Sequence, residues 1–200
     1  MANKYDKNFV PEDLTELEWE PEKASESLSA IYQHVKGRVR SAISWYQGKS
    51  RWKKRGAIFL RLAAILLALA AGVIPILAEI QPDFGAKTFS PAWASVALAI
   101  AATLVFIDRL LGQSSAWMRY FMAELKLHRL YQEFQIDWEA TKAAFKDQRP
   151  DTKEVQDMLS KARDFVSQSL QIVEDETNAW IVEFKSTLKV IEQAAKPKTT

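Results

Sequence analysis

The segment GAIFLRLAAILLALAAGVIPILAEI at Gly56–Ile80, followed by AWASVALAIAATLVFI at Ala92–Ile107, decides the fold of this chain. No ionisable side chain lies between Leu62 and Ala78, and none lies in the second segment. An apolar stretch of about 18 or more residues with few charges is typical of a helix that crosses a membrane. Because only Gln81–Pro91 separates the two segments, the sequence predicts a transmembrane helical hairpin.

Apolar segments of this length also occur in signal peptides and in the cores of soluble proteins. The first segment begins far from Met1, and no small-residue cleavage site follows a short apolar core, so a signal peptide is not indicated. A buried hairpin of a soluble helical protein stays open as an alternative, because Ala-rich helices also occur in soluble cores. The 200 residues include no cysteine, which excludes a disulfide framework and any Cys-based metal site or nucleophile.

Basic residues are concentrated before the first apolar segment. Nine Lys or Arg residues and no Asp or Glu lie from Lys36 to Arg61, whereas the connecting loop has only Lys87 set against Asp83. The positive-inside rule therefore predicts a multi-pass membrane protein with both termini in the cytoplasm. We expect the block to contact the lipid bilayer and not nucleic acid, because headgroups would occupy it. Its membrane-proximal part is a basic patch formed by Lys49, Arg51, Lys53, Lys54 and Arg55.

Two charged residues are expected to pair at the inner boundary of the hairpin. Arg61 lies inside the first apolar segment, from where its long side chain can reach the interface. The two spans run antiparallel, so Asp108 comes to nearly the same depth. The sequence thus predicts an Arg61–Asp108 ion pair, with a structural role favoured over a place in a conduction path.

Small residues predict where the spans pack. They recur every four residues, a spacing that permits close approach of helix backbones. Pro75 removes one backbone hydrogen bond and is expected to kink the first span, and Ser90 is expected to cap the second. The predicted packing positions are Ala64, Ala68 and Gly72 on the first span and Ala97 and Ala101 on the second.

Outside the hairpin, the chain is predicted to form amphipathic helices with flexible ends. Each helix carries one apolar stripe, so we expect an all-α fold in which cytoplasmic helices form a bundle, within one subunit or between subunits. We expect Gly48 to break or loosen the first helix, and the second span to continue into its cytoplasmic extension as one helix. The predicted segments are a flexible acidic N-terminus (1–21), a cytoplasmic amphipathic helix with basic linker (22–55), transmembrane helix 1 (56–80), a short external loop (81–91), transmembrane helix 2 (92–111), its cytoplasmic extension (112–148), a C-terminal cytoplasmic helix (151–194) and a tail (195–200).

The sequence offers no arrangement of residues typical of an active site. His34 and His128 are isolated, the six glycines form neither a dinucleotide-binding nor a phosphate-binding motif, and the acidic run at 174–176 is interpreted as a solvated helix face. We therefore expect no catalytic residue, no cofactor and no metal site, and a protein that is not an enzyme.

A pore is one function that the hairpin allows. Ser95 and Thr103 are the only hydroxyl-bearing residues of the second span, and the first has none. One hairpin cannot enclose a channel, so a pore requires a homo-oligomer, with an apolar lining that favours closure by dewetting. The alternative is a non-conducting membrane scaffold that recruits a cytoplasmic partner.

Residues 41–77, SAISWYQGKSRWKKRGAIFLRLAAILLALAAGVIPIL, resemble the bacterial two-transmembrane SLATT-like effector domains. The shared features are Trp45–Tyr46 followed by a basic linker, an Arg (Arg61) that opens the first span, and Gly72 and Pro75 near its outer end. An aromatic and basic stretch, WMRYFMAELKLHRLYQEF, follows the second span. The last helix then carries a Glu-rich turn before a Trp, at Glu174, Glu176 and Trp180.

The resemblance implies a role in bacterial conflict systems and anti-phage defence. Proteins of this family are thought to oligomerise and to perturb the inner membrane when a nucleotide-signalling or sensor protein activates them. Activation is expected to reach this chain through its cytoplasmic helices. No catalytic residue is carried over, because the family is not enzymatic.

Overall fold

The computed structural model describes residues 13, 14, 16–80, 90, 92–110, 112–145 and 149–195, and the regular elements among these are all α-helices. The predicted all-α class is therefore confirmed. The predictions for the acidic N-terminus, the external loop and the tail fall largely outside the described residues. We number the helices α1 (Ala24–Ile80), α2 (Ala92–Leu110), α3 (Gln113–Ala144) and α4 (Thr152–Ala195).

Helix α1 passes through Gly48 without a break, so the predicted interruption there is wrong. A glycine inside a helix costs about 1 kcal/mol relative to alanine. Packing on either side offsets this cost, because Tyr46 and Ser50 are both buried. The Ser50 hydroxyl also donates a hydrogen bond to the carbonyl of Trp117, at 3.3 Å.

Gly112 separates the second span from the helix that follows it, which corrects the prediction of one continuous helix. Its φ of 55° lies in the left-handed region, which glycine adopts without the steric penalty of a side chain. Its N–H donates to the carbonyl of Arg109 at 3.3 Å, and its own carbonyl accepts from the N–H of Ala116 at 2.9 Å. One helix therefore ends and the next begins at this residue. Helix α3 also ends at Ala144, short of the predicted 148.

The chain forms two compact units. The first comprises Met1–Lys49 and Arg119–Val182, so it combines the N-terminal part of α1 with most of α3 and of α4. Buried side chains recur on all three helices at spacings of three and four residues, as predicted for a helical bundle. The bundle therefore forms within one chain. Its buried core is Leu28, Ile31, Val35, Val39, Ile43 and Tyr46 of α1, Ala123, Leu127, Tyr131, Phe134 and Trp138 of α3, and Met158, Ala162 and Phe165 of α4.

Aromatic rings fill the centre of this first unit. Phe134 stacks on Phe165 with ring centroids 4.4 Å apart and lies 5.5 Å from Trp138. Tyr32 contacts both Trp138, at 5.2 Å, and Phe134, at 5.9 Å. Offset and tilted aromatic pairs contribute about 0.5–1.5 kcal/mol each beyond the area they bury. The cluster therefore joins α1, α3 and α4.

Helix α4 begins at a reciprocal cap. The Asp151 N–H donates to Oε2 of Glu154, and the Glu154 N–H donates to Oδ1 of Asp151, both at 2.7 Å. This capping box satisfies two backbone donors that a helix N-terminus otherwise leaves without partners. Ser90 caps α2 as predicted, because its Oγ accepts from the N–H of Ala92 at 3.3 Å.

Replacing Asp151 with Ala should lower the free energy of unfolding of the first unit by about 1 kcal/mol, the usual loss for a helix cap. Asp164→Ala, on the exposed surface of the same helix, should change it by less than about 0.5 kcal/mol. Urea unfolding of the purified protein in detergent, followed by circular dichroism, measures both. Equal losses for the two variants would show that the cap does not stabilise the fold.

The second unit comprises Ser50–Met118 and Glu183–Thr200 and contains both apolar spans. Buried and half-buried residues recur there with alternating steps of three and four, the pattern of a coiled-coil seam. Four residues turn about 40° further than one full turn of the helix. Residues spaced strictly every four positions therefore drift around the helix and away from this seam. The seam residues are Ala57, Leu60, Ala64, Leu67, Ala71, Ile74 and Ala78 on α1, and Ala94, Ala97, Ala101, Leu104 and Asp108 on α2.

The small-residue prediction is therefore only partly right. Ala64 and Ala101 are buried and Ala97 is half-buried, but Ala68 and Gly72 are exposed. A Cβ added at Gly72 would have no atom within 4 Å. Ala68 and Gly72 lie outside the seam of this hairpin, because the seam follows heptad spacing, and their role as helix-packing positions stays a prediction. Pro75 lies inside α1 as predicted, and its kink stays a prediction.

Most of the apolar surface of the spans is exposed. Two helices are long and apolar enough to cross a membrane. Only 11% and 12% of the most apolar stretch of each helix is buried. The core helix of a soluble protein would bury most of such a window. Exposed large side chains include Phe59, Leu66, Leu69, Ile76, Leu98 and Val105.

Candidate functional site

The charged residues at the end of the spans lie together in the second unit. Arg61 Nε is 3.5 Å from Asp108 Oδ2, so the structure brings the predicted pair together. The Arg61 side chain is 63% exposed, whereas that of Asp108 is only 13% exposed. The Ser114 hydroxyl donates to the same Asp108 oxygen at 2.6 Å. The buried carboxylate is thus held by one cation and one hydroxyl.

The Gly112 turn makes this arrangement possible. The turn places Ser114 and Ser115 just beyond the end of α2, where Ser114 reaches back to Asp108. The Ser115 hydroxyl donates to Oε1 of Glu183 in α4, and its oxygen also lies 3.1 Å from the carbonyl oxygen of Gly112. A Cβ on Gly112 would lie 3.3 Å from the Ser115 hydroxyl oxygen, so a larger residue there would crowd the turn.

A cavity of about 360 Å³ opens beside this cluster. Its polar wall includes Arg61, Asp108 and Glu183, and its apolar wall includes Leu60 and Leu104. The second carboxylate oxygen of Asp108 is buried and has no hydrogen-bond partner among the described residues. The cavity therefore combines charged groups of both signs with an apolar surface. Val105, Arg109, Gly112, Ser114 and Ser115 complete its lining.

The predicted basic patch contains two lysines that lie over aromatic rings, and three further basic residues. Lys49 lies over the ring of Trp45, with Nζ 5.7 Å from the centroid, and Lys54 lies over Trp117 at 5.4 Å. Cation–π contacts of this kind contribute about 0.5–1 kcal/mol at exposed sites. Lys53 is half-buried, and Arg51 and Arg55 are exposed on α1.

A buried ion pair in the first unit was not predicted. Arg119 Nε lies 3.5 Å from Glu176 Oε1, and their side chains are only 17% and 12% exposed. Burial raises the pKa of Glu176, and the positive charge of Arg119 opposes that rise. Glu176 therefore does not belong to a solvated face, although Glu174 and Asp175 are exposed as predicted.

Two tyrosines lie close enough to this pair to interact with its charges. Tyr46 and Tyr120 lie 5.8 Å apart between ring centroids. Burial raises the pKa of both phenols, and the negative charge of Glu176 raises each further. Both hydroxyls therefore stay protonated at neutral pH.

A polar group in the same unit contains one of the two histidines. Gln47 Nε2 donates to Glu124 Oε1 at 3.0 Å and lies 3.4 Å from the His128 ring nitrogen Nε2. His128 itself lies 3.9 Å from that carboxylate oxygen, and His34 is half-buried. Among the residues that the structure describes, no group of three or more His, Asp or Glu side chains could hold a metal ion.

Of the Arg61–Asp108 and Arg119–Glu176 ion pairs, only the first has a clear signal in the sequence. The antiparallel arrangement of two recognisable spans brings Arg61 near Asp108. Arg119 and Glu176 lie on different amphipathic helices, and their pairing depends on the register between those helices. The one available signal was the position of each residue beside an apolar stripe.

Comparison with known protein families gives one match over nearly the whole chain. The family model described as SMODS and SLOG-associating 2TM effector domain 2 matches residues 13–200. Comparison with curated proteins and with solved structures gives no match.

Proposed function

Because the chain belongs to the SMODS and SLOG-associating 2TM effector domain family, and so has the role of a conflict-system effector in a membrane, we propose that it forms a homo-oligomeric pore in the bacterial inner membrane. In this proposal both termini lie in the cytoplasm, and the helices of the first unit gate the pore. The protein acts by assembly and not by catalysis. Its activating partner is a nucleotide-signalling or sensor protein.

The observation that supports a pore most directly is the exposed surface of the spans. Large apolar side chains cover α1 and α2 outside their shared seam. Lipid can cover such a surface, and so can another copy of the same hairpin. Because one hairpin cannot enclose a path, neighbouring subunits would supply the remaining wall. Arg61, exposed at the end of the span, would then form a positive ring at the inner mouth and favour anions.

One observation favours the alternative of a non-conducting scaffold. The hydroxyl of Thr103 donates to the carbonyl of Ala99 at 2.8 Å, so it satisfies its own helix and does not offer a polar group to a pore. The described span residues from Leu62 to Ala78 are uncharged. A protein of this kind would anchor the first unit at the membrane and recruit a partner there.

Release of a trapped dye from liposomes that contain the purified protein distinguishes the two functions. A pore predicts release together with a defined subunit count in detergent. Liposomes that stay tight in every activated condition, with the same oligomer present, would favour the scaffold.

Arg61→Leu should impair growth arrest or dye release at least about tenfold more than Arg51→Leu. Loss of Arg61 leaves the largely buried Asp108 carboxylate with the Ser114 hydroxyl but without a cation, and a tenfold change corresponds to about 1.4 kcal/mol. Arg51 is an exposed arginine on the same helix and makes a matched control. Equal activity of the two variants, at equal membrane abundance, would remove Arg61 from the mechanism.

A further inference from the structure

The lining of the cavity at the end of the spans combines apolar and polar side chains. Leu60, Leu104 and Val105 provide apolar surface from both spans, while two arginines, two serines, Asp108 and Glu183 provide the polar surface. Pockets that bind small molecules commonly combine an apolar wall with a few well-placed polar groups. A volume of about 360 Å³ is enough for a headgroup and the first part of an acyl chain. The cavity therefore fits part of an amphiphile.

Two guanidinium groups belong to the polar lining, those of Arg61 and Arg109. Arg61 approaches Asp108 only through Nε, and its side chain is 63% exposed. Arg109 is exposed and makes no ion pair with any residue that the structure describes. Guanidinium groups present several N–H donors in one plane and suit phosphate oxygens.

Each carboxylate in the same wall already has a partner, although the Oδ1 atom of Asp108 is buried and has none among the described residues. Asp108 accepts from Ser114 and pairs with Arg61, and Glu183 accepts from Ser115. Asp108 is also largely buried, whereas both arginines are exposed. A ligand that enters from the open side therefore meets the positive groups first. The chemistry of this entrance selects an anion with an attached apolar group.

We propose that this cavity binds one phospholipid, whose phosphate lies between Arg61 and Arg109 and whose acyl chain lies against Leu60, Leu104 and Val105. The inference rests on the membrane placement of the spans in the proposed function, but it does not require conduction. It predicts a specific site, in contrast to the diffuse attraction of a basic patch to anionic lipid.

Native mass spectrometry of the full chain in mild detergent tests the proposal. The probes are phosphatidylglycerol, diacylglycerol as the chains without a phosphate, and glycerophosphoglycerol as the soluble headgroup. We expect one phosphatidylglycerol per chain, and at least about tenfold weaker binding of the other two, because each lacks half of the contacts. Equal binding of the soluble headgroup would identify a free phosphate site and overturn the lipid assignment.

Variants separate the site from general basic attraction. Arg109→Gln should weaken phosphatidylglycerol binding about tenfold, the usual effect of losing one charged hydrogen-bond partner. Arg51→Gln removes the same charge from an exposed position outside the cavity lining and should have little effect. Equal losses would overturn the site. Unchanged circular dichroism shows that each variant folds.

The result is independent of the pore assay. Lipid binding that depends on Arg109, in a protein that leaves liposomes tight, would retain the site and remove the pore. Dye release by a protein in which Arg109→Gln and Arg51→Gln weaken lipid binding equally would retain the pore and remove the site.

Discussion

Replacing Phe134 with Ala is expected to lower the free energy of unfolding of the first unit by about 4 kcal/mol. Loss of a buried aromatic side chain typically costs about 3–5 kcal/mol, because the protein loses burial and retains a cavity. Phe134 is buried and its ring contacts those of Tyr32, Trp138 and Phe165. The substitution therefore removes the ring that joins all three helices of the unit. Urea unfolding in detergent, monitored by near-UV circular dichroism, measures the loss.

Phe121→Ala is the matched control for this prediction. Phe121 lies on the same helix, α3, but is exposed, so the same chemical change should cost less than about 1 kcal/mol. A loss at Phe121 as large as that at Phe134 would mean that the buried cluster does not determine the stability of the unit.

The core of the first unit was predictable because it repeats along each helix. Leu28, Ile31 and Val35 on α1 are separated by three and four residues, which places them on one face whatever the helix packs against. The cap at Ser90 was also predictable, because it depends only on neighbouring residues. Features of this kind are encoded within a single segment of sequence.

Whether a given glycine ends a helix was harder to predict from the sequence. Gly48 lies within a continuous helix, whereas Gly112 adopts a left-handed conformation and ends one. The difference is in their surroundings. Buried neighbours hold the helix together around Gly48, whereas Gly112 is followed by Ser114, which bonds to Asp108 when the chain turns. No property of the glycine itself distinguishes the two positions.

The role of Glu176 depends on three-dimensional structure in the same way. The acidic run at 174–176 is typical of a solvated surface, and two of its three residues are exposed. Only the packing of α4 against α3 turns Glu176 towards Arg119, at a separation of 57 residues in sequence. A similar argument applies to Ala68 and Gly72, whose four-residue spacing is plausible until the heptad seam of the spans is known.

Arg119→Met should destabilise the first unit by about 3 kcal/mol at neutral pH, because breaking a buried ion pair leaves a buried charge without compensation. Arg129→Met is the matched control on the same helix. Arg129 lies closer to its partner, 2.8 Å from Glu133, but these side chains are 82% and 54% exposed. An exposed pair contributes about 0–1 kcal/mol. The comparison therefore tests whether burial, and not distance, determines the energy.

The loss in Arg119→Met should also depend on pH. Burial already raises the pKa of Glu176 above its ordinary value of 4.5, and Arg119 opposes that rise. Without Arg119 the pKa rises further, so the folded protein binds a proton more tightly than the unfolded chain. Stability gained from this proton is fully present below pH 4.5 and is lost as the pH rises through the folded-state pKa. The variant should therefore be closest to the parent protein in acid.

Adding Glu176→Gln to Arg119→Met removes the charge that is stranded. The double variant should recover part of the lost stability at neutral pH, and the additional pH dependence of the single variant should disappear. Denaturant midpoints measured at several pH values from acid to neutral follow both effects. A loss in Arg119→Met that is the same at every pH, and that Glu176→Gln does not reduce, would show that Arg119 stabilises the unit through its packing and not through its charge.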